Sequence, residues 1–222
     1  MPTVGVCLAG CGFLDGAEIF ESVATLYNLE KAGADIVAMA PDIDQAHVVN
    51  HVTGDVMEGE SRNVLVEAAR IVRGDIKDIA DVSAEDIDAL IFPGGYGVAK
   101  NLSTYAFERF NCQVNDEVDR LVRETIAANK PLGVICIAPA MLAKVLEGLG
   151  VNTQVTIGND PQTAQDIEDM GTTHVTCSVT KHITDKENKI VSTPAYMLAN
   201  KIGETWVGIE GLVNEVLALI DA

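Results

Sequence analysis

Four short apolar runs, 3–9 (TVGVCLA), Asp35–Ala40 (DIVAMA), Ala89–Phe92 (ALIF) and 132–136 (LGVIC), carry no alternation of polar and apolar side chains. A strand with one face in water alternates with period two. An unbroken apolar run this short instead suits a strand covered on both faces, as in a parallel sheet sandwiched between helices. The intervening segments have helical spacing. Ile19, Val23, Leu26, Tyr27 and Leu29 form one stripe closed by Gly33, and Val118, Leu121, Val122, Thr125 and Ile126 form another. Ser83 followed by Asp86 has the outline of a helix start just before the third run. A last helix is expected from about 204 to 219, with Val207, Leu212, Val216, Leu217 and Ile220 turned inward. Strands alternating with helices require right-handed crossovers, so the predicted class is α/β, a doubly wound, mostly parallel sheet with helices on both faces. From Val151 onward the units shorten (VTI, HVTCSV, HITD, KIVST), which predicts a late antiparallel hairpin and a final strand.

No repeat, low-complexity linker or break in composition interrupts this pattern, and one domain over 1–222 is expected. The chain carries 33 acidic and 15 basic residues, a formal net charge of −18. That field repels a polyphosphate, which excludes nucleic acid as the main partner. No stretch of about 18 apolar residues occurs, so no membrane span is expected, and no secretory leader is read at the start. Five cysteines with no CxxC pair suit reduced thiols in the cytoplasm. Cys7 and Cys11 alone do not make a metal site. The glycine-rich segment from Gly10 to Gly16 departs from GxGxxG, so neither a metal nor a dinucleotide cofactor is expected.

The segment Leu132-Gly133-Val134-Ile135-Cys136-Ile137-Ala138-Pro139 carries the strongest chemical signal. A buried strand runs into Cys136, and Pro139 opens a helix where its missing N–H costs nothing. A nucleophile at such an elbow projects above the sheet edge, with orphan amides and the positive end of the helix favouring its thiolate. An inert core cysteine is the plainer alternative. After another strand comes Phe92-Pro93-Gly94-Gly95-Tyr96-Gly97, whose glycines let backbone N–H groups aim into a cleft as an oxyanion hole would need. Gly16-Ala17-Glu18-Ile19-Phe20-Glu21 places two carboxylates one helical turn apart at the start of the first helix.

A strand-end cysteine, a PGG turn and a GAExxE helix start together resemble the ThiJ/PfpI superfamily, related to class I glutamine amidotransferases. The resemblance extends to its ElbB-type subfamily of isoprenoid-biosynthesis proteins with an amidotransferase-like domain. It rests on Asn50-His51-Val52-Thr53-Gly54, Arg62-Asn63-Val64-Leu65, Ala99-Lys100-Asn101-Leu102, Cys136-Ile137-Ala138-Pro139-Ala140-Met141-Leu142 and Thr193-Pro194-Ala195-Tyr196-Met197-Leu198. The resemblance implies a flavodoxin-like fold, a homodimer and a nucleophile at Cys136. It also implies a buried carboxyl at Glu21 bonded to the sulfur, and a glyoxalase activity, glyoxal to glycolate, that needs no cofactor. The chain departs from protease-type members, which carry His where Ile137 stands, and from deglycase-like members at Gly158. It also lacks a His-x-Glu pair near Thr193-Pro194.

The expected site is therefore Cys136, Glu21 and His51 as catalytic groups, with Gly95 and Ile137 supplying backbone donors. Gly94, Tyr96, Asn101 and Arg62 are candidates for binding a small aldehyde. A redox-sensing protein using an oxidisable Cys136 is the rival reading, and a glutaminase subunit comes last because the triad it needs is missing.

Overall fold

The computed structural model describes residues 1–220. Five strands come first: β1 Thr3–Cys7, β2 Asp35–Ala40, β3 Lys77–Asp78, β4 Ala89–Phe92 and β5 Leu132–Ile135. They are followed by β6 Gln154–Val155, β7 Thr173–His174, β8 Ile183–Asp185 and β9 Ile190–Thr193. The helices are α1 Ile19–Lys31, α2 Val64–Ala68, α3 Tyr96–Lys100, α4 Tyr105–Glu108, α5 Asp116–Ala127, α6 Ala138–Glu147, α7 Pro161–Asp169 and α8 Ile202–Ile220.

Seven strands form one sheet in the order β3-β2-β1-β4-β5-β9-β8. Every pairing in it is parallel except β8 against β9, so the fold is the flavodoxin-like α/β class read from the sequence, with its late antiparallel hairpin. Strands β4, β5 and β9 are buried along their whole length, as their unbroken apolar character requires. Chain order reverses between β1 and β4. That switch point leaves a crevice beyond the carboxyl ends of β1, β4, β5 and β9, where open α/β sheets bind ligands.

The structure corrects several local expectations. The unit HVTCSV does not extend the main sheet; only Thr173–His174 is strand, paired with Gln154–Val155 in a separate two-stranded sheet. Helix α7 was not read from the sequence, although Asp160 caps it by accepting from the Thr163 N–H at 2.7 Å and Pro161 opens it. Ser83 and Asp86 do form their reciprocal cap, on a single 3-10 turn.

Only part of the apolar stripe of α1 faces the core: Leu29 is buried and Leu26 packs against the core. Ile19, Val23 and Tyr27 are 42%, 41% and 50% exposed, and the buried face is Glu21, Ser22, Ala24, Thr25, Asn28 and Leu29. Three of these side chains donate back along the helix: Ser22 Oγ to the Glu18 carbonyl (2.7 Å), Thr25 Oγ1 to that of Glu21 (2.8 Å) and Asn28 Nδ2 to that of Ala24 (2.9 Å). Small side chains on this face let α8 pack closely against α1. On α8 the inward face is Thr205, Gly208, Ile209, Leu212, Val213, Val216 and Leu219. Val207 is turned to solvent, and Leu217 and Ile220 are partly buried.

Candidate active site

Strand β5 ends at Ile135, paired with Thr193 of β9, and the Cys136 N–H completes the ladder by donating to the Thr193 carbonyl at 3.0 Å. The chain then turns sharply. Cys136 has φ +62°, a left-handed conformation costing a non-glycine residue on the order of 1–2 kcal/mol, held by the strand on one side and α6 on the other. The side chain stands above the sheet edge, 7% exposed, in the wall of a cavity of about 740 Å³.

Glu21 lies beneath it, on the buried face of α1 and fully excluded from solvent. Its Oε2 accepts from the Gly94 N–H at 2.9 Å, its Oε1 from the Tyr196 N–H at 3.1 Å, and its carboxyl hydrogen-bonds the Cys136 sulfur. Three loops, following β4, β5 and β9, thus converge on one carboxyl. Burial pushes Glu21 up to about 8, only partly offset by these donors. At neutral pH the group keeps its proton. Burial also pushes the Cys136 thiol well up, and an ionised Glu21 would push it further, while the N–H groups of Gly95 and Ile137 pull it down. The helix start alone therefore does not make a thiolate here. The sulfur ionises most easily while Glu21 holds a proton, since two adjacent buried anions are the costliest arrangement.

Gly94 and Gly95 are required sterically. A Cβ on Gly94 would overlap the Cys136 side chain and sit 2.7 Å from Glu21 Oε2 and 2.9 Å from the Ile135 carbonyl. Gly95 has φ +101°, and a Cβ there would strike the backbone of Gly16 and Glu18. This close approach brings the Gly95 N–H to the sulfur and lets the Gly94 carbonyl accept from the Glu18 N–H at 2.9 Å. Glu18 caps α1 by accepting from the Glu21 N–H at 2.7 Å, and it lines the cavity.

Tyr96 also lines the cavity, half exposed. Three other candidates do not reach it. His51 has both ring nitrogens engaged: Nε2 accepts from the Leu14 N–H at 3.3 Å, which leaves Nδ1–H to donate to the Val49 carbonyl at 3.0 Å. The Phe13 ring, edge-on to the imidazole at 5.5 Å, is what faces the cavity instead. Asn101 is buried and ties loops together, donating to the carbonyls of Ala9 (3.0 Å) and Asp15 (2.8 Å) and accepting from the Ala46 N–H (2.9 Å). Arg62 pairs on the surface with Glu67 at 3.4 Å and Glu60 at 3.9 Å. The sequence named all three as candidates but carried no direction for their side chains.

The rest of the cavity wall was not singled out in the sequence. It includes the apolar and aromatic Phe13, Phe20, Tyr105, Tyr196 and Met197 and the polar Arg109, Asp160, Gln162 and Thr163. Arg109 has φ +55° and pairs with the buried Asp166 at 2.7 Å; Asp166 also accepts from the Tyr105 hydroxyl at 2.6 Å. Among the described residues no group of His, Cys, Asp and Glu could hold a metal ion.

A family model described as the DJ-1/PfpI family matches residues 11–179. The chain is 44% identical, over 97% of its length, to a human protein named glutamine amidotransferase-like class 1 domain-containing protein 3, mitochondrial, and spans 82% of that protein. It is 31% identical to the zebrafish (Danio rerio) ES1 protein, mitochondrial, over 97% of this chain and 85% of the relative. Among solved structures, an isoprenoid biosynthesis protein with amidotransferase-like domain from Ehrlichia chaffeensis superposes with TM-score 0.92 at 36% identity, covering 99% of both chains. That agrees with the resemblance read from the sequence motifs. Drosophila melanogaster DJ-1beta, at 17% identity and TM-score 0.58 over 99% of this chain and 96% of its own, shares the fold.

Proposed function

From the DJ-1/PfpI family, to which this chain belongs, and from the buried pair of thiol and carboxyl at its sheet edge, we infer that the protein is a cofactor-independent glyoxalase. The family includes glyoxalase-like and stress-response proteins. The observation that carries the enzymatic reading is Glu21 beside Cys136: a carboxyl held near 8 can give and take a proton at neutral pH within reach of a nucleophile.

The sulfur adds to one aldehyde carbon of glyoxal, its proton passing to the new oxygen, to give a hemithioacetal. Removing the hydrogen from that carbon gives an enediolate, and returning a proton to the neighbouring carbon gives a thioester of glycolic acid. Water cleaves the thioester, releasing glycolate and the free thiol. One carbon is oxidised and its neighbour reduced, so no external electron carrier is needed. Glu21 holds the proton that keeps the sulfur ionisable. Glu21, able to give and take a proton, is our candidate for moving the carbon-bound hydrogen, with Glu18 of the cavity wall as the second carboxyl that could serve. The Gly95 and Ile137 N–H groups face the charge that develops at sulfur and oxygen.

Replacing Cys136 by Ala and following glyoxal consumption tests this, with turnover expected to fall to background; an undiminished rate sinks the reading. Fast, selective peroxide oxidation of Cys136 in a protein without aldehyde turnover would replace the enzyme by a redox sensor.

The chain also leaves Val23 and Tyr27 of α1 and Val207 of α8 exposed on adjoining helices, beside the ring pair Tyr27–Trp206 at 5.3 Å. A second copy covering this face gives the homodimer that the sequence resemblance implies. Five free cysteines suit a reducing compartment, and the cytoplasm is our assignment; recovery of the native chain in an organelle fraction would overturn it.

A further inference from the structure

The cavity above Cys136 is far larger than glyoxal requires. Its 740 Å³ corresponds to about 25 waters at about 30 Å³ each, whereas a four-heavy-atom dialdehyde displaces about two or three. An enediolate forms and survives best where water is excluded, and glyoxal alone cannot exclude it here. Pockets of this size bury most of a drug-sized ligand.

The wall says what that ligand is. Phe13, Phe20 and Tyr96 stand around the thiol 47%, 45% and 52% exposed, and Tyr196 pairs with Phe20 at 6.3 Å. Large apolar rings left in water around a concave site mark the place of an apolar ligand. The charged part of the wall argues against an anionic substituent. Glu18 and Asp160 both face the cavity. The cation there, Arg109, is 2.7 Å from Asp166, so its charge is already matched. A carboxylate or phosphate on the substrate would enter an acidic pocket of a protein with net charge −18.

We propose that the Cys136 cavity takes a neutral α-oxoaldehyde whose second carbonyl carbon bears an aromatic or comparably bulky apolar group, seated against Phe13, Phe20 and Tyr196. This rests on the glyoxalase reading and names its substrate class. The chemistry is unchanged for an arylglyoxal. The thiol adds to the aldehyde carbon, the hydrogen moves to the ketone carbon, and hydrolysis gives a 2-hydroxy-2-aryl acid, with water the only co-reactant. Its carboxylate, formed in the acidic pocket, favours release.

The test compares initial-rate kcat/KM for phenylglyoxal and glyoxal in the wild type and in Ala106→Trp. Ala106 is exposed on α4 and lines the cavity, so an indole there fills ring space without disturbing the core. The expected result is a preference of about tenfold or more for phenylglyoxal in the wild type, and a fall of the phenylglyoxal-to-glyoxal ratio to about one in the variant. A binding readout is run in parallel: protection of Cys136 from iodoacetamide by 2-hydroxyacetophenone against hydroxyacetone, followed by intact mass. Protection by the aryl ketone alone is expected. Glyoxal turnover without phenylglyoxal preference and without aryl-selective protection overturns this inference and leaves the glyoxalase reading standing. Aryl-selective protection without turnover of either aldehyde overturns the glyoxalase reading and keeps the cavity's preference for an aryl ligand.

Discussion

Replacing Glu21 by Gln should change the pH dependence of folding more than its midpoint. The ordinary value for this carboxyl is 4.5, and burial raises it to about 8 in the folded chain. The folded state therefore binds more protons than the unfolded state across that window, and stability must fall as pH rises through it. The loss begins near 4.5, where the unfolded carboxyl ionises, and levels off above about 8, where the folded one follows. Between pH 5.5 and 8, at about 1.36 kcal/mol per pH unit, the loss attributable to Glu21 is on the order of 3 kcal/mol. A glutamine keeps one acceptor but turns its NH₂ toward the other backbone N–H, Gly94 or Tyr196, at a cost of about 1 kcal/mol at every pH. The variant should thus be the less stable protein at pH 4, below a crossing near pH 5, and the more stable one at pH 8. Urea unfolding at four pH values gives both curves, and their difference cancels the titrating groups that do not interact with Glu21. Parallel curves would refute the argument, because a carboxyl already ionised in the folded state at pH 5.5 shows no such difference.

Gly94→Ala should be destabilised by about 3 kcal/mol or more, read as a fall in Tm, since its Cβ would overlap Cys136 and crowd Glu21 with little room for either to move. His51→Ala should keep kcat/KM for aldehyde within about twofold, because the imidazole is bonded to Leu14 and Val49 and stands behind Phe13; a tenfold loss would place it in the chemistry. Tyr27→Glu, on the exposed face of α1, should convert a dimer to monomer in light scattering while leaving the far-UV spectrum unchanged; a dimer that survives at micromolar concentration would move the interface elsewhere.

The sequence by itself determined the sheet and the place of Cys136 on it. Unbroken runs such as Ala89–Phe92 admit little except a strand covered on both faces, and a strand followed at once by Pro139 and a helix leaves Cys136 on the turn. Local physics also settled the Ser83–Asp86 cap, whose partners lie three residues apart. Tertiary structure decided which face of α1 is buried. Periodicity favours the stripe of Ile19, Val23 and Tyr27, yet close packing against α8 selects the small and self-bonded face that carries Glu21. It also decided the company the sulfur keeps. Gly94, Tyr196 and Cys136 meet Glu21 across 73, 175 and 115 residues of chain. Contacts at that separation leave no trace in local spacing, which is also why His51, Asn101 and Arg62 were named as site residues and Phe20 and Tyr196 were not. A loop's place at the sheet edge is written in topology, but the direction of its side chains depends on hydrogen bonds made only once the loops have come together.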